Sequence, residues 1–221
     1  MNISLSKKQL SELVAGQLRN FFGLDENIEM ADWVEKALER AEYCFTFSRN
    51  KYYRKDNEVF FNPFHSGQYC IFLYCLSNIL SKGGEKTLAD KVYYLNKALN
   101  CVDLYHEVNL PKIFGLDHPV GSVIGKATFS DLFFFTQNTT VGNNHGIYPS
   151  FGENVALLAG ATVVGNCHIG NNCIISARTY IKDQDIPSNS IVFGTSPDLI
   201  IKHKDEPYFW ENNMFISESM P

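Results

Sequence analysis

The chain has 221 residues, 45% of them hydrophobic, which is ample for a sizeable core without cysteine staples. A formal net charge of −5 and the lack of a long basic run argue against nucleic acid as a main partner, so an anionic ligand has to be met by a local cluster of cations. The six cysteines form no CxxC pair, MNISLSKKQLSELV is polar where a signal peptide needs an apolar run, and no apolar stretch is long enough to span a bilayer; reduced thiols, a cytoplasmic location and no transmembrane segment are expected.

In chain order, Leu10, Leu13, Val14, Leu18 and Phe21 recur at helical spacing and predict an amphipathic helix over 4–22, with Ser4 or Ser6 as its cap. A GLDEN turn leads to a second helix from Ala31 to Phe45, built on Trp33, Val34, Ala37, Leu38 and Ala41, with Asp32 available to cap it. RNKYYRKDNEVFFNP reads as irregular or extended. HSGQYCIFLYCLSNILSKGG is an apolar helix closed by two glycines, and Glu85 to Val102 carries Leu88, Val92, Leu95 and Leu99 on one face. Residues 1–102 are therefore expected to form a helical domain.

A different period follows. From Phe151 every sixth residue is large and apolar (Leu157, Val163, Ile169, Ile175, Ile181), and four places after the first five stand Val155, Ala161, Cys167, Cys173 and Thr179. Neither a 3.6 nor a 2.0 period gives large-then-small every six; a triangular coil does, with one large side chain per side pointing inward. The register extends back through Leu104, Leu110, Leu116, Val123, Phe129, Phe135 and Val141, with joins of seven residues after Leu116 and ten after Val141. The longer join must extrude a loop around NNHGIYPS. The expected class is α+β: the helical domain, a parallel β-helix over 103–202 and a C-terminal tail over 203–221 that folds on a neighbour or stays partly loose.

HSGQYCIFLY, the Asp103-Leu104 step, GLDHPVGSVIG, QNTTVG, LAGATVVGN and SIVFGTSP together resemble the serine acetyltransferases and their relatives among hexapeptide acyltransferases, over about Phe64 to Lys202. The resemblance implies a left-handed coil, acetyl-CoA as donor, and a homotrimer or dimer of trimers with active sites between neighbouring prisms. It makes His118 the general base and Asp103, fifteen residues upstream, the group that orients it. It also carries cofactor contacts to Ala159 and Ala177, one coil apart.

The chemistry agrees. Acetyl transfer from a thioester to an alcohol needs a base that is neutral near pH 7, and an imidazole held by a carboxylate supplies one. Gly142 is a candidate backbone donor to the oxyanion, and Lys182 and Lys202, with Arg178 as a weaker candidate, could meet the nucleotide phosphates. Asp117, His145 and Tyr148 are the acceptor-side candidates; His168 points outward. No HxxxxH pair suggests a metal, and none is expected. Serine acetyltransferases carry an Arg-His pair before the proline that re-enters the repeat, whereas this chain has Ile147 and Tyr148 before Pro149, so a sugar or surface-polysaccharide hydroxyl is the expected acceptor. The alternatives are serine itself, with a cation such as Arg54 replacing the missing arginine, and a non-catalytic hexapeptide scaffold.

Overall fold

The computed structural model describes residues 1–23 and 29–216. Strand β1 (Asn2–Ile3) precedes α1 (Lys7–Phe22), which starts on a capping box: the Ser6 hydroxyl accepts from the Gln9 N–H while the Gln9 side chain accepts from the Ser6 N–H. It ends at Gly23, whose φ of 59° gives a left-handed cap; the rest of the GLDEN turn lies outside the described residues. Helix α2 (Ala31–Thr46) begins at Met30 with no side-chain cap. Asp32 does not cap it as expected, and instead sits in the first turn, where its charge favours the helix dipole.

The polar segment is a hairpin, β2 (Arg54–Lys55) and β3 (Glu58–Phe61), turning on Asp56 and Asn57 at positive φ, with β1 added parallel to β3. Helix α3 (Ser66–Lys82) is buried almost all round, and α4 (Lys86–Asn100) packs against it. The buried face of α4 is Ala89, Val92, Leu95 and Asn96, whose amide donates to the Cys70 carbonyl at 3.1 Å; Leu99, expected on that face, is 42% exposed.

From Phe114 the chain winds as a parallel β-solenoid. The first coil contributes β4 (Phe114–Leu116), β5 (Val123–Ile124) and β6 (Thr128–Phe129), and the second β7 (Phe133–Phe135), β8 (Thr140–Gly142) and β9 (Ser150–Phe151). The third contributes β10 (Val155–Leu157), β11 (Thr162–Val164) and β12 (His168–Ile169), and the fourth β13 (Cys173–Ile175) and β14 (Tyr180–Lys182). Strand β15 (Ser190–Thr195) stacks on β13 and touches β14, and β16 (Asp198–His203) returns antiparallel along it.

Three inward columns fill the prism. Leu116, Phe135, Leu157, Ile175 and Val192 form one, Ile124, Val141, Val163 and Ile181 the second, and Phe129, Phe151, Ile169 and Ile186 the third. The small slots Val155, Ala161, Cys167, Cys173 and Thr179 are all buried at the corners. Each large inward residue contributes roughly 1.5–3 kcal/mol by burial, so a one-residue slip that turned a column outward would forfeit many of these at once. Two positions correct the sequence register. Val123 faces solvent and Ile124 points inward, because the turn after Leu116 is one residue longer than expected. Ile186 and Val192 extend the columns beyond Ile181, after a five-residue step that a six-residue scan passes over.

One core runs from the helices into the prism, tied by the Tyr74 hydroxyl, which donates to the Val108 carbonyl and accepts from the Leu110 N–H. The tail through Ile216 folds on its own chain and not loosely: α5 (Glu206–Asn212) leads to Phe215, buried with Phe47, Ile113, Leu132 and Phe134, and Arg49 donates to the Trp210 and Glu211 carbonyls.

Candidate active site

One corner of the prism gathers most of the residues singled out by sequence. Strand register aligns Leu116, Phe135, Leu157 and Ile175, and past it Gln137, Ala159 and Ala177 stand in one column; the longer first turn puts Val120 opposite Gln137, with the Asn138 N–H donating to the Val120 carbonyl, and carries His118 on the extra length of chain at the same corner. His118 has a φ of 47° and a side chain 83% exposed; its Nε2 lies 3.6 Å from Asp117 Oδ1. The same left-handed backbone recurs at other coil corners, at Leu132, Asn138, Asn154 and Arg178 among them, so it belongs to the turn of the solenoid. The turn is held by Gly121 at φ 77°, whose N–H donates to the Cys101 carbonyl; a Cβ there would come within 2.3 Å of Asn138 Oδ1.

Asp103 lies in the rung beneath that turn, its N–H donating to the Ser122 carbonyl and its carbonyl accepting from Ile124. Its side chain does not hydrogen-bond His118. Oδ1 accepts from the Tyr93 hydroxyl at 2.8 Å and Oδ2 from Lys97 Nζ at 2.6 Å. Partial burial and the bond to Asp103 raise the Tyr93 pKa, and the same carboxylate raises that of Lys97. Sequence reasoning missed both, since their contact with Asp103 is set by how α4 packs on the first coil.

Ala159 and Ala177 lie on successive rungs, with the Arg178 N–H donating to the Ala159 carbonyl at 2.8 Å. Their own N–H groups have no acceptor among the described residues, leaving two free donors at a corner lined by methyl groups. Arg178 occupies the left-handed position beside them, φ 59°, and is exposed.

Gly142 and Lys182 end the same face at its opposite corner, from which the 143–149 loop is extruded. That loop is closed by paired bonds between Asn144 and Ile147 and clamped by Asn144 Nδ2, which donates to Asp183 Oδ2 at 2.5 Å. His145 at its tip is exposed, and Tyr148 carries the Lys126 ammonium over its ring at 5.2 Å. Within one chain, then, His145, Tyr148, Gly142 and Lys182 do not gather with His118. Lys202 is on β16, its ammonium over the Phe193 ring at 5.4 Å, and the Arg54 guanidinium is engaged by the Thr46 carbonyl in the helical region. Burial pushes the Cys44 and Cys70 thiols up to about 12, so neither is a nucleophile near neutral pH. No cluster of three metal-ligating side chains occurs among the described residues.

With this geometry in place, comparison with known proteins gives a consistent picture. Residues 148–183 match the family described as bacterial transferase hexapeptide (six repeats). Serine acetyltransferase of Staphylococcus aureus is 27% identical over 143 residues, 62% of this chain; the chain spans 66% of that relative's length. The chain is similar to the serine acetyltransferases. Solved structures share the fold: Brucella abortus serine acetyltransferase in complex with coenzyme A superposes with a TM-score of 0.67 at 18% identity, covering 91% of this chain and 83% of that one. The Neisseria gonorrhoeae enzyme in complex with serine gives 0.65 at 23% identity, covering 87% and 83%. The architecture of N-terminal helices followed by a parallel β-solenoid is thus that of serine acetyltransferase structures.

Proposed function

We propose that this protein is an acyltransferase of the serine acetyltransferase type, moving an acetyl group from acetyl-CoA to a hydroxyl. The observation that carries the reading is one corner of the prism, where the exposed His118 imidazole on the long first turn shares the corner with the Ala159 and Ala177 column, its free backbone donors and its small-residue channel. The Ala159 and Ala177 N–H groups suit the amide carbonyls of a pantetheine arm running along the corner. His118 removes the acceptor hydroxyl's proton, the oxygen attacks the thioester carbonyl, and collapse of the tetrahedral intermediate expels the thiolate, which takes the proton from the imidazolium. No covalent acyl-enzyme is required, since the thioester is already activated.

Serine is the favoured acceptor, because the similar proteins are serine acetyltransferases and one of them is solved with serine bound. This replaces the sugar hydroxyl expected from sequence. Lys126, a cation beside Tyr148 with no carboxylate partner among the described residues, is the substitute for the missing arginine. Lys126 also covers a Tyr148 face on which a sugar ring would otherwise stack. The sugar reading keeps one observation in its favour, the Ile147-Tyr148 pair where an Arg-His pair is expected. Side-to-side assembly of prisms, as in the homotrimer that the resemblance implies, would bring the His118 corner of one copy to the Gly142 and Lys182 corner of the next. Thiol release from acetyl-CoA with serine and with a panel of sugars tests the acceptor: a kcat/KM for serine of about 10⁴ M⁻¹s⁻¹ or more supports serine, and faster turnover of a sugar restores the other reading.

A further inference from the structure

Asp103 is held by groups outside the prism. We propose that Tyr93 and Lys97 of α4 are positioning residues, which fix the Asp103 carboxylate beneath the His118 turn and partly neutralise its charge. The inference rests on the acetyltransferase reading above.

A carboxylate offers about four lone-pair sites, and Tyr93 and Lys97 occupy one on each oxygen, so acceptor capacity remains for an imidazole N–H. The two donors fix the rotation of the carboxylate, which a single bond would leave free. Tyr93 is itself braced: its ring packs edge-on against Tyr105 at 5.2 Å and His106 at 6.4 Å. Behind it His106, 1% exposed, bonds Asp90 through Nε2 at 2.9 Å. Asp103 and the His118 turn are joined by backbone, through Asp103 to Ser122 and Ile124 and through Cys101 to Gly121. A shift of α4 would therefore move the carboxylate relative to the imidazole.

The charged and titratable groups facing this unit are Lys97 and Tyr93 on α4, Tyr105 against the Tyr93 ring, the Asp90 and His106 pair behind Tyr93, and Asp117 beside His118. Lys97 is the one among them that offsets the Asp103 charge directly. Without it the bare carboxylate would favour the imidazolium form of His118, and more protons would have to be removed before the base could act.

The test uses the full chain. In Lys97→Met the acid limb of the kcat/KM profile should move to higher pH by about 0.5–1 unit, and Lys97→Arg should restore it. Tyr93→Phe should lower kcat about tenfold or more with KM for acetyl-CoA unchanged. The His118 imidazole followed by NMR titration, with no acceptor present, should show the same alkaline displacement in Lys97→Met. A purely structural tie would lower thermal stability and leave limb and imidazole titration where they were, and that result in a folded Lys97→Met protein overturns the inference. Because the NMR titration does not depend on turnover, absence of acetyl transfer in the unaltered protein would remove the activity reading separately.

Discussion

The Arg178 N–H donates to the Ala159 carbonyl at 2.8 Å, a bond that locks one rung of the His118 corner to the next and leaves Ala177 projecting beside it. Ala177 is exposed, so Ala177→Trp should leave unfolding within about 0.5 kcal/mol of the unaltered protein. An indole there fills the channel, and coenzyme A affinity should fall at least about tenfold, or ~1.4 kcal/mol, by titration calorimetry. Unchanged affinity would move the donor to another corner.

His118→Ala should lower kcat by about two to four orders of magnitude while coenzyme A affinity stays the same, the signature of a lost general base. His118 is exposed and no packing depends on it, so stability should hold within about 0.5 kcal/mol. A variant retaining more than about a tenth of the rate would transfer the role elsewhere, with His145 the next candidate.

If Lys126 receives the acceptor's carboxylate, Lys126→Met should reduce kcat/KM for serine by about ten- to a hundredfold, the loss of a charge-assisted hydrogen bond worth roughly 1.5–3 kcal/mol. Neutral alcohols should be turned over as before. Equal losses for serine and for a neutral acceptor would show that Lys126 supports the loop and does not read the acceptor.

Asp183 governs the loop. The Asn166 backbone N–H, and after it the Asn144 side chain, hold its carboxyl below the usual carboxylate range. A depressed carboxylate contributes stability above its unfolded pKa of about 3.9 and loses it as pH falls through the lower folded value, so the clamp stays closed at neutral pH and releases only in strong acid. Asp183→Ala should open it at pH 7, seen as faster hydrogen exchange at Asn166 and quicker proteolysis within 143–149. Gly165→Ala should do the same, since a Cβ at its φ of 84° would come within 2.0 Å of Asp183 Oδ1. Unchanged exchange in both would mean that the loop is held by other contacts.

The solenoid was readable because its inward columns repeat in sequence: Leu157, Val163, Ile169 and Ile175 announce the triangle without reference to anything distant. Register failed only where turn length changed, at Val123 and Ile124 and again before Ile186. In the site, Ala159 and Ala177 could be aligned by counting one coil, whereas His118 sits on the longer first turn and came from the resemblance. The Tyr93 and Lys97 grip on Asp103 could not be read in either way, because it depends on how α4 lies against the first coil, a packing relation that no local period encodes. The tail was misjudged for the same reason: Phe215 finds Phe47 and Phe134 across the whole length of the chain.

Strand β16 runs antiparallel to β15 at the end of a stack whose other members are parallel. An open rung would offer its row of amides and carbonyls to the first rung of another molecule, the geometry by which stacked coils lengthen into fibres. Reversing the final strand breaks the repeat, and at the opposite end the first coil is covered by Leu110, Val108 and helix α3. Growth along the axis is thereby terminated at both ends, and a chain shortened before Asp198 should be prone to end-to-end polymerisation even with its His118 corner complete.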